Sequence, residues 1–232
     1  MSDLIQFTEN NSHSLIVMDD GKANALSFAM FEALNAALDR AEQAGKAVVL
    51  AGRAGKFSAG FDLSVMVNMD EGTIKLLREG AELSRRLLTF PLPVVLTVSG
   101  HALAMGALLC LSADYRIGAQ GGFKIGLNEV AIGMTLPWFG IELARGRLTT
   151  THFDSAVGLA RIYDPESAVT AGYLDEVVAA EDLLSRATEL ADSLAGLNLE
   201  AHCKTKARTR EDLLARFETA LERDFERGEA MG

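Results

Sequence analysis

The chain has 232 residues and a net charge of −10, with 22 Lys and Arg against 32 Asp and Glu, a balance that argues against nucleic acid or an anionic membrane as the main partner. Apolar residues make up 49% of the chain, which suits one sizeable globular core. The only cysteines, Cys110 and Cys203, belong to no CxxC or Cys/His cluster, so neither a disulfide framework nor a bound metal is expected, and a reducing compartment is the default. No basic stretch runs into an apolar one at the N-terminus and no apolar run reaches bilayer length; the expectation is a cytoplasmic protein.

"LIQFTENN" and "HSLIVMDD" read as two strands of a hairpin around an Asn-rich turn. "GKANALS" is a loop whose Ser27 caps a helix through "FAMFEALNAALDRAEQ", with Phe31, Leu34, Ala37, Leu38 and Ala41 on one face. "AVVLAG" has the unbroken apolar character of a strand buried on both sides. After the glycine-rich "RAGKFSAGFDLSVMVNMDEG", a helix runs from Thr73 to Thr89 and is stopped by "PLP". "VVLTVSG" is another buried strand and "AMGALLCLSA" the helix after it, while "DYRIGA" and "FKIGLNE" read as strands or strand edges. Pro137 starts a helix through "WFGIELARGRL", "HFDSAVGLA" is a further helix, Asp164 caps "PESAVTAG" with Pro165 at the first helical position, and "YLDEVV" is the last strand. From Ala180 the chain is helical and charged, and its Lys204, Lys206, Arg208 and Arg210 read as a solvated face. Strands alternating with helices imply right-handed crossovers and a largely parallel α/β sheet. The expected organisation is an α/β core over residues 1–178 and a helical part over 179–232, with no sequence repeat of fixed period.

Familiar motifs fail on spacing. "GRAGKFS" has two residues between its glycines and Phe57 after Lys56, where a phosphate loop needs four and a Ser or Thr. "GHALAMG" lacks the third glycine of a dinucleotide fingerprint. The histidines His13, His101, His152 and His202 are scattered. What recurs is a strand, a glycine turn and a helix start, in "VVLAGRAGKFSAGFDL" and again in "VVLTVSGHALAMGALL". N–H groups at a helix start lack intrahelical acceptors and sit at the positive end of the helix dipole. Two such turns brought together make an oxyanion hole without any side chain. A second oddity is "KIGLNEVAIG", where Glu129 stands alone among apolar residues and glycines. Either it faces solvent from a turn or its surroundings are tuned for chemistry.

In order and spacing, "FSAGFDL", "VSGHALAMGALLCLSADYRI" and "IGLNEVAIG" resemble the crotonase superfamily, the enoyl-CoA hydratases and isomerases. The resemblance runs from "KANALS" to "AVTAGYLDEVV". It implies a spiral of ββα turns, C-terminal helices used to assemble a homotrimer or hexamer, and an acyl-CoA thioester as ligand, with coenzyme A entering as part of the substrate. It places the oxyanion-hole donors at the backbone of Phe61 and of Met105, where the family usually has Gly. Of the two glutamates of the hydratases, it leaves Leu108 at one position and Glu129 at the other. The wording "IGLNE" followed by "LPWFG" is similar to the mitochondrial-type Δ3,Δ2-enoyl-CoA isomerases, which rely on a single glutamate. The resemblance further implies Lys22, Ala23, Ala25, Ala59 and Asp62 around the CoA moiety and an acyl tail along Val65, Met66, Leu108, Trp138 and Phe139. Asp62 can equally cap a helix, and Asp114 reads as structural. Other readings stay open at this point: a hydratase in which Asp154 or His101 replaces the missing acid, another reaction on the same fold (decarboxylation, thioester hydrolysis or dehalogenation), and a non-catalytic acyl-CoA binder.

Overall fold

Residues 4–230 are described by a computed structural model. Strands β1 (Ile5–Glu9) and β2 (His13–Met18) form the antiparallel hairpin. The loop after it holds a two-residue strand, β3 (Ala25–Leu26), before helix α1 (Phe28–Ala44). Ser27 caps α1 by accepting the Met30 N–H, and Gly45 at φ 65° ends it, a left-handed conformation that glycine adopts freely. Next come β4 (Ala47–Gly52), β5 (Gly55–Ser58), β6 (Gly60–Phe61), the single-turn α2 (Leu63–Met66) and α3 (Glu71–Thr89). Helix α3 starts ahead of Thr73 because the Asp70 carboxylate accepts the N–H groups of Gly72 and Thr73 in a capping box.

Strands β7 (Val94–Val98) and β8 (Gly100–Leu103) lead into α4 (Met105–Ser112). Then β9 (Tyr115–Ala119) and β10 (Ile125–Gly126) lead through a 3₁₀ turn, Val130–Ile132, to α5 (Trp138–Arg147). The "FKIGLNE" strand is thus cut to two residues, because the chain turns at Asn128–Glu129. The chain ends with α6 (Thr150–Val157), α7 (Pro165–Ala171), β11 (Glu176–Val178), α8 (Leu183–Leu194), α9 (Leu199–Thr209), α10 (Glu211–Leu221) and a π-helical turn, Glu222–Glu226.

The main sheet has the order β1-β2-β4-β7-β9-β11, parallel except for the hairpin, and β5, β8 and β10 form a second, parallel sheet. Three units, β4–β5, β7–β8 and β9–β10, therefore send their first strand to one sheet and their second to the other before the next helix, while β3 and β6 pair in a separate two-stranded sheet; this is the spiral that the motif resemblance implied. Side chains alternate across the main sheet. On β4, Val48 and Leu50 join the large core under α1, α3 and α4, while Ala47 and Val49 meet Leu183, Ala187 and Ala191 of α8. No helix among the described residues is long and apolar enough to cross a membrane.

One surface expectation is overturned. Lys206 is 6% exposed and Arg210 is largely covered, both bonded to the Asp114 carboxylate at 2.7 Å, while Asp114 also accepts the Val94 N–H. Helical spacing puts positions 206 and 210 on one face, and that face lies against the strand ends, whereas Lys204 and Arg208 stay outside.

Candidate active site

Helix α4 is buried at all eight positions. Its N-terminus has no side-chain cap, and the residue before it, Ala104, sits at φ 49° and ψ −123°, a conformation costing a non-glycine residue about 1–3 kcal/mol. The Ala104 carbonyl accepts from Ala107 and Leu108, so the N–H groups of Met105 and Gly106 open the helix without an intrahelical acceptor. At the other end, the last carbonyls are held by buried guanidinium groups: Arg116 on Cys110 O, Arg147 on Leu111 O and Ala113 O, and Arg210 also on Ala113 O. Positive charge there complements the helix dipole and fixes the axis. Burial and the neighbouring guanidinium groups pull Arg147 down to about 10.

The second turn is pressed against this helix start. A side-chain carbon on Gly60, at φ +97°, would lie 2.7 Å from Ala104 Cβ and 3.3 Å from Met105 N, and one on Gly106 would lie 2.6 Å from Ser58 O. Only glycine permits either approach. Asp62 N–H donates to Leu26 O. Successive N–H groups on a strand point to opposite sides, so that of Phe61 turns away from β3. Gly80 of α3 supports both turns, since a Cβ there would meet the Phe61 ring at 2.6 Å and Met105 Sδ at 3.1 Å.

The two turns border a cavity of about 200 Å³. Ala59, Leu63, Met69, Ile132, Gly133 and Thr135 form its exposed rim, and Phe61, Met66, Leu77, Leu108, Glu129, Pro137 and Ala230 its buried wall, with Ala104, Asn128 and Met134 between. Glu129 is 8% exposed and its Oε2 has no hydrogen-bond partner. Loss of water pushes its carboxyl up to about 7, against the smaller pull of its own backbone N–H. Glu129 is the sole titratable side chain among the described residues of the lining.

Phe61, Met66, Leu108, Glu129 and Ala59 therefore meet at one cavity; Met105 is outside its lining, although Ala104, the residue before it, is part of it. Val65, Trp138 and Phe139 lie outside the lining. Val65 is turned from the cavity by the helical step that points Met66 inward, and its carbonyl accepts the Thr73 hydroxyl. Phe139 packs on Phe217 and Phe225, and Trp138 lies under the Arg223 guanidinium at 3.3 Å. Asp62 caps α2 through Ser64 N–H at 2.9 Å. Lys22 is exposed, its carbonyl accepting from Arg53, while Ala23 accepts from Ala59 N–H and Ala25 pairs with Gly60. Neither suggested replacement acid is in the cavity lining: Asp154 is exposed, and His101 Nδ1, on β8, accepts the Lys124 N–H just before β10. Reading the sequence missed Asn128, whose Oδ1 is buried without a partner at the cavity. The polar step before Glu129 in "GLNE" was its available signal; nothing local marked Gly80 or Ala230.

The fold agrees with known proteins the chain resembles. A family model described as enoyl-CoA hydratase/isomerase matches residues 8–228. An enoyl-CoA hydratase/isomerase family protein of Pseudomonas syringae superposes with TM-score 0.95 at 44% identity, covering 97% of this chain and 98% of its own. An enoyl-CoA hydratase of Mycobacterium ulcerans superposes with TM-score 0.91 at 43% identity, over 94% of this chain and 96% of that one. Human mitochondrial enoyl-CoA delta isomerase 1 is 29% identical over 211 residues, 88% of this chain and 69% of its own. The chain belongs to the enoyl-CoA hydratase/isomerase family.

Proposed function

We propose that the protein moves the double bond of a 3-enoyl-CoA to the 2-trans position, with Glu129 as the single proton shuttle. The observation that carries this reading is the lone carboxyl in the lining, with Leu108 at the other glutamate position. Glu129 takes the proton from C2, negative charge moves onto the thioester oxygen, and the same carboxyl returns the proton at C4. The N–H groups of Phe61 and Met105 are assigned to that oxygen, where fixed donors are each worth about 3 to 4 kcal/mol in the barrier. A carboxyl raised to about 7 is better matched to a carbon acid than an ordinary one. Hydration calls for groups that orient and deprotonate water and supply a proton, and one carboxyl is short of that.

Coenzyme A enters as the thioester part of the substrate. Backbone groups of Ala23, Ala25 and Ala59 are assigned to the adenine and pantetheine ends, with Lys22 supplying charge. The test is turnover of 3-hexenoyl-CoA and hydration of 2-hexenoyl-CoA by the protein and its Glu129→Gln variant. Isomerisation that Gln abolishes while acyl-CoA binding persists is the expected result. Unimpaired isomerisation by the variant would sink the mechanism, and hydration alone would favour the hydratase reading.

A further inference from the structure

The cavity has a wall from an unexpected part of the chain. Ala230, 3% exposed, lines it together with Leu77 and Leu108 at 4% and 0%, whereas Leu63, Met69 and Ile132 at the rim are 63%, 51% and 53% exposed. The exposed residues mark the mouth, and Ala230 belongs to the buried wall with Leu77 and Leu108. We propose that the C-terminal segment from Glu222 to Ala230 is the end-stop that sets which acyl-chain lengths the site accepts; this rests on the acyl-CoA reading above.

The segment is held at both ends. Asp224, 1% exposed, accepts the Trp138 and Phe139 N–H groups at 2.9 Å, so a residue distant in sequence caps the start of α5. The residue before Trp138 is Pro137, itself part of the cavity wall. Glu229 accepts from the Trp138 indole at 2.9 Å and from Arg223 at 3.0 Å. The chain then turns at Gly228, φ +75°, and Ala230 N–H returns to Asp224 O at 3.2 Å. A carboxylate buried under two N–H groups, and the indole and guanidinium donors that converge on Glu229 Oε2, resist displacement, because breaking either leaves polar groups unpaired. The end-stop is therefore rigid, and the residue it contributes to the wall is an alanine, so a larger side chain at this position takes up cavity room.

Each methylene removed from water contributes about fourfold in affinity. The test uses saturated butanoyl-, hexanoyl-, octanoyl- and dodecanoyl-CoA, which have no double bond to move, with binding to the full chain read by calorimetry. Ala230→Phe, and the milder Ala230→Leu, should lower the dodecanoyl-to-butanoyl affinity ratio, by about 50-fold for Phe if room for three methylenes is lost. Glu229→Ala unlatches the segment and should raise the same ratio at least fourfold. Opposite signs are the signature, since simple loss of stability moves both variants alike. Ratios that stay at the unsubstituted value, or that fall in both variants, overturn the end-stop while leaving the acyl-CoA reading standing. An unsubstituted protein that binds none of the four overturns both.

Discussion

Replacing Glu129 by Gln should stabilise the fold while stopping turnover, by an amount set by pH. The carboxyl titrates at about 7 in the folded chain against an ordinary 4.5, a difference of about 3 kcal/mol against ionisation in place. Below pH 4.5 it is protonated in both states, and its favourable contribution is fully present. Between 4.5 and 7 the folded chain binds more proton than the unfolded one, so stability falls as pH rises, levelling off above the folded value. Gln mimics the protonated acid and carries no such penalty. The stability gap between variant and parent should therefore widen by about 2 to 3 kcal/mol from pH 5 to pH 8, or about 4–12 °C in melting temperature for a chain of this size. Melting curves of both proteins at pH 5, 6, 7 and 8 measure it. A melting difference that does not change with pH would refute the claim that Glu129 is buried without a charged partner.

The same carboxyl should give kcat/KM an ascending limb with a midpoint near 7, because the base must be ionised in the free enzyme; a rate flat from pH 5 to 8 speaks against Glu129 as the base. Gly60→Ala should cost about 100-fold or more in kcat, because its Cβ, 2.7 Å from Ala104 Cβ, must push the two donor turns apart. Gly80→Ala should also lower kcat, by displacing the Phe61 ring and Met105 Sδ, and unchanged kinetics would show that the hole does not depend on that support. Asp114→Asn leaves Lys206 and Arg210 in place without their shared carboxylate and should cost about 3 to 5 kcal/mol in urea unfolding; a loss under 1 kcal/mol would mean that water reaches the pair.

Local patterns in the sequence determined a good deal. Ser27 and Asp164 marked helix starts through hydrogen bonds that span only three residues, and Pro165 through its fixed φ at the first helical position, while "AVVLAG" and "VVLTVSG" announced doubly buried strands because burial on both faces requires unbroken apolar runs. The spiral left no repeat of fixed period, because its units share geometry while their loops and helices differ in length. The resemblance of three short motifs supplied Glu129, Phe61 and Met105. Whether Glu129 met solvent or a dry wall was undecidable from "KIGLNEVAIG" alone; the packing of α4, α3 and the C-terminal segment removed its water and set its proton affinity. Charge on α9 misled for the same reason, since the depth at which Lys206 lies depends on Asp114, ninety-two positions away. Val65, Trp138 and Phe139 have the apolar chemistry of an acyl pocket, but their direction is fixed by Thr73, Phe217, Phe225 and Arg223. Residue type and local spacing settle what a segment becomes. What a side chain faces is settled by partners far along the chain, and the wall contributed by Ala230 exists only once the segment from Glu222 to Ala230 has folded back.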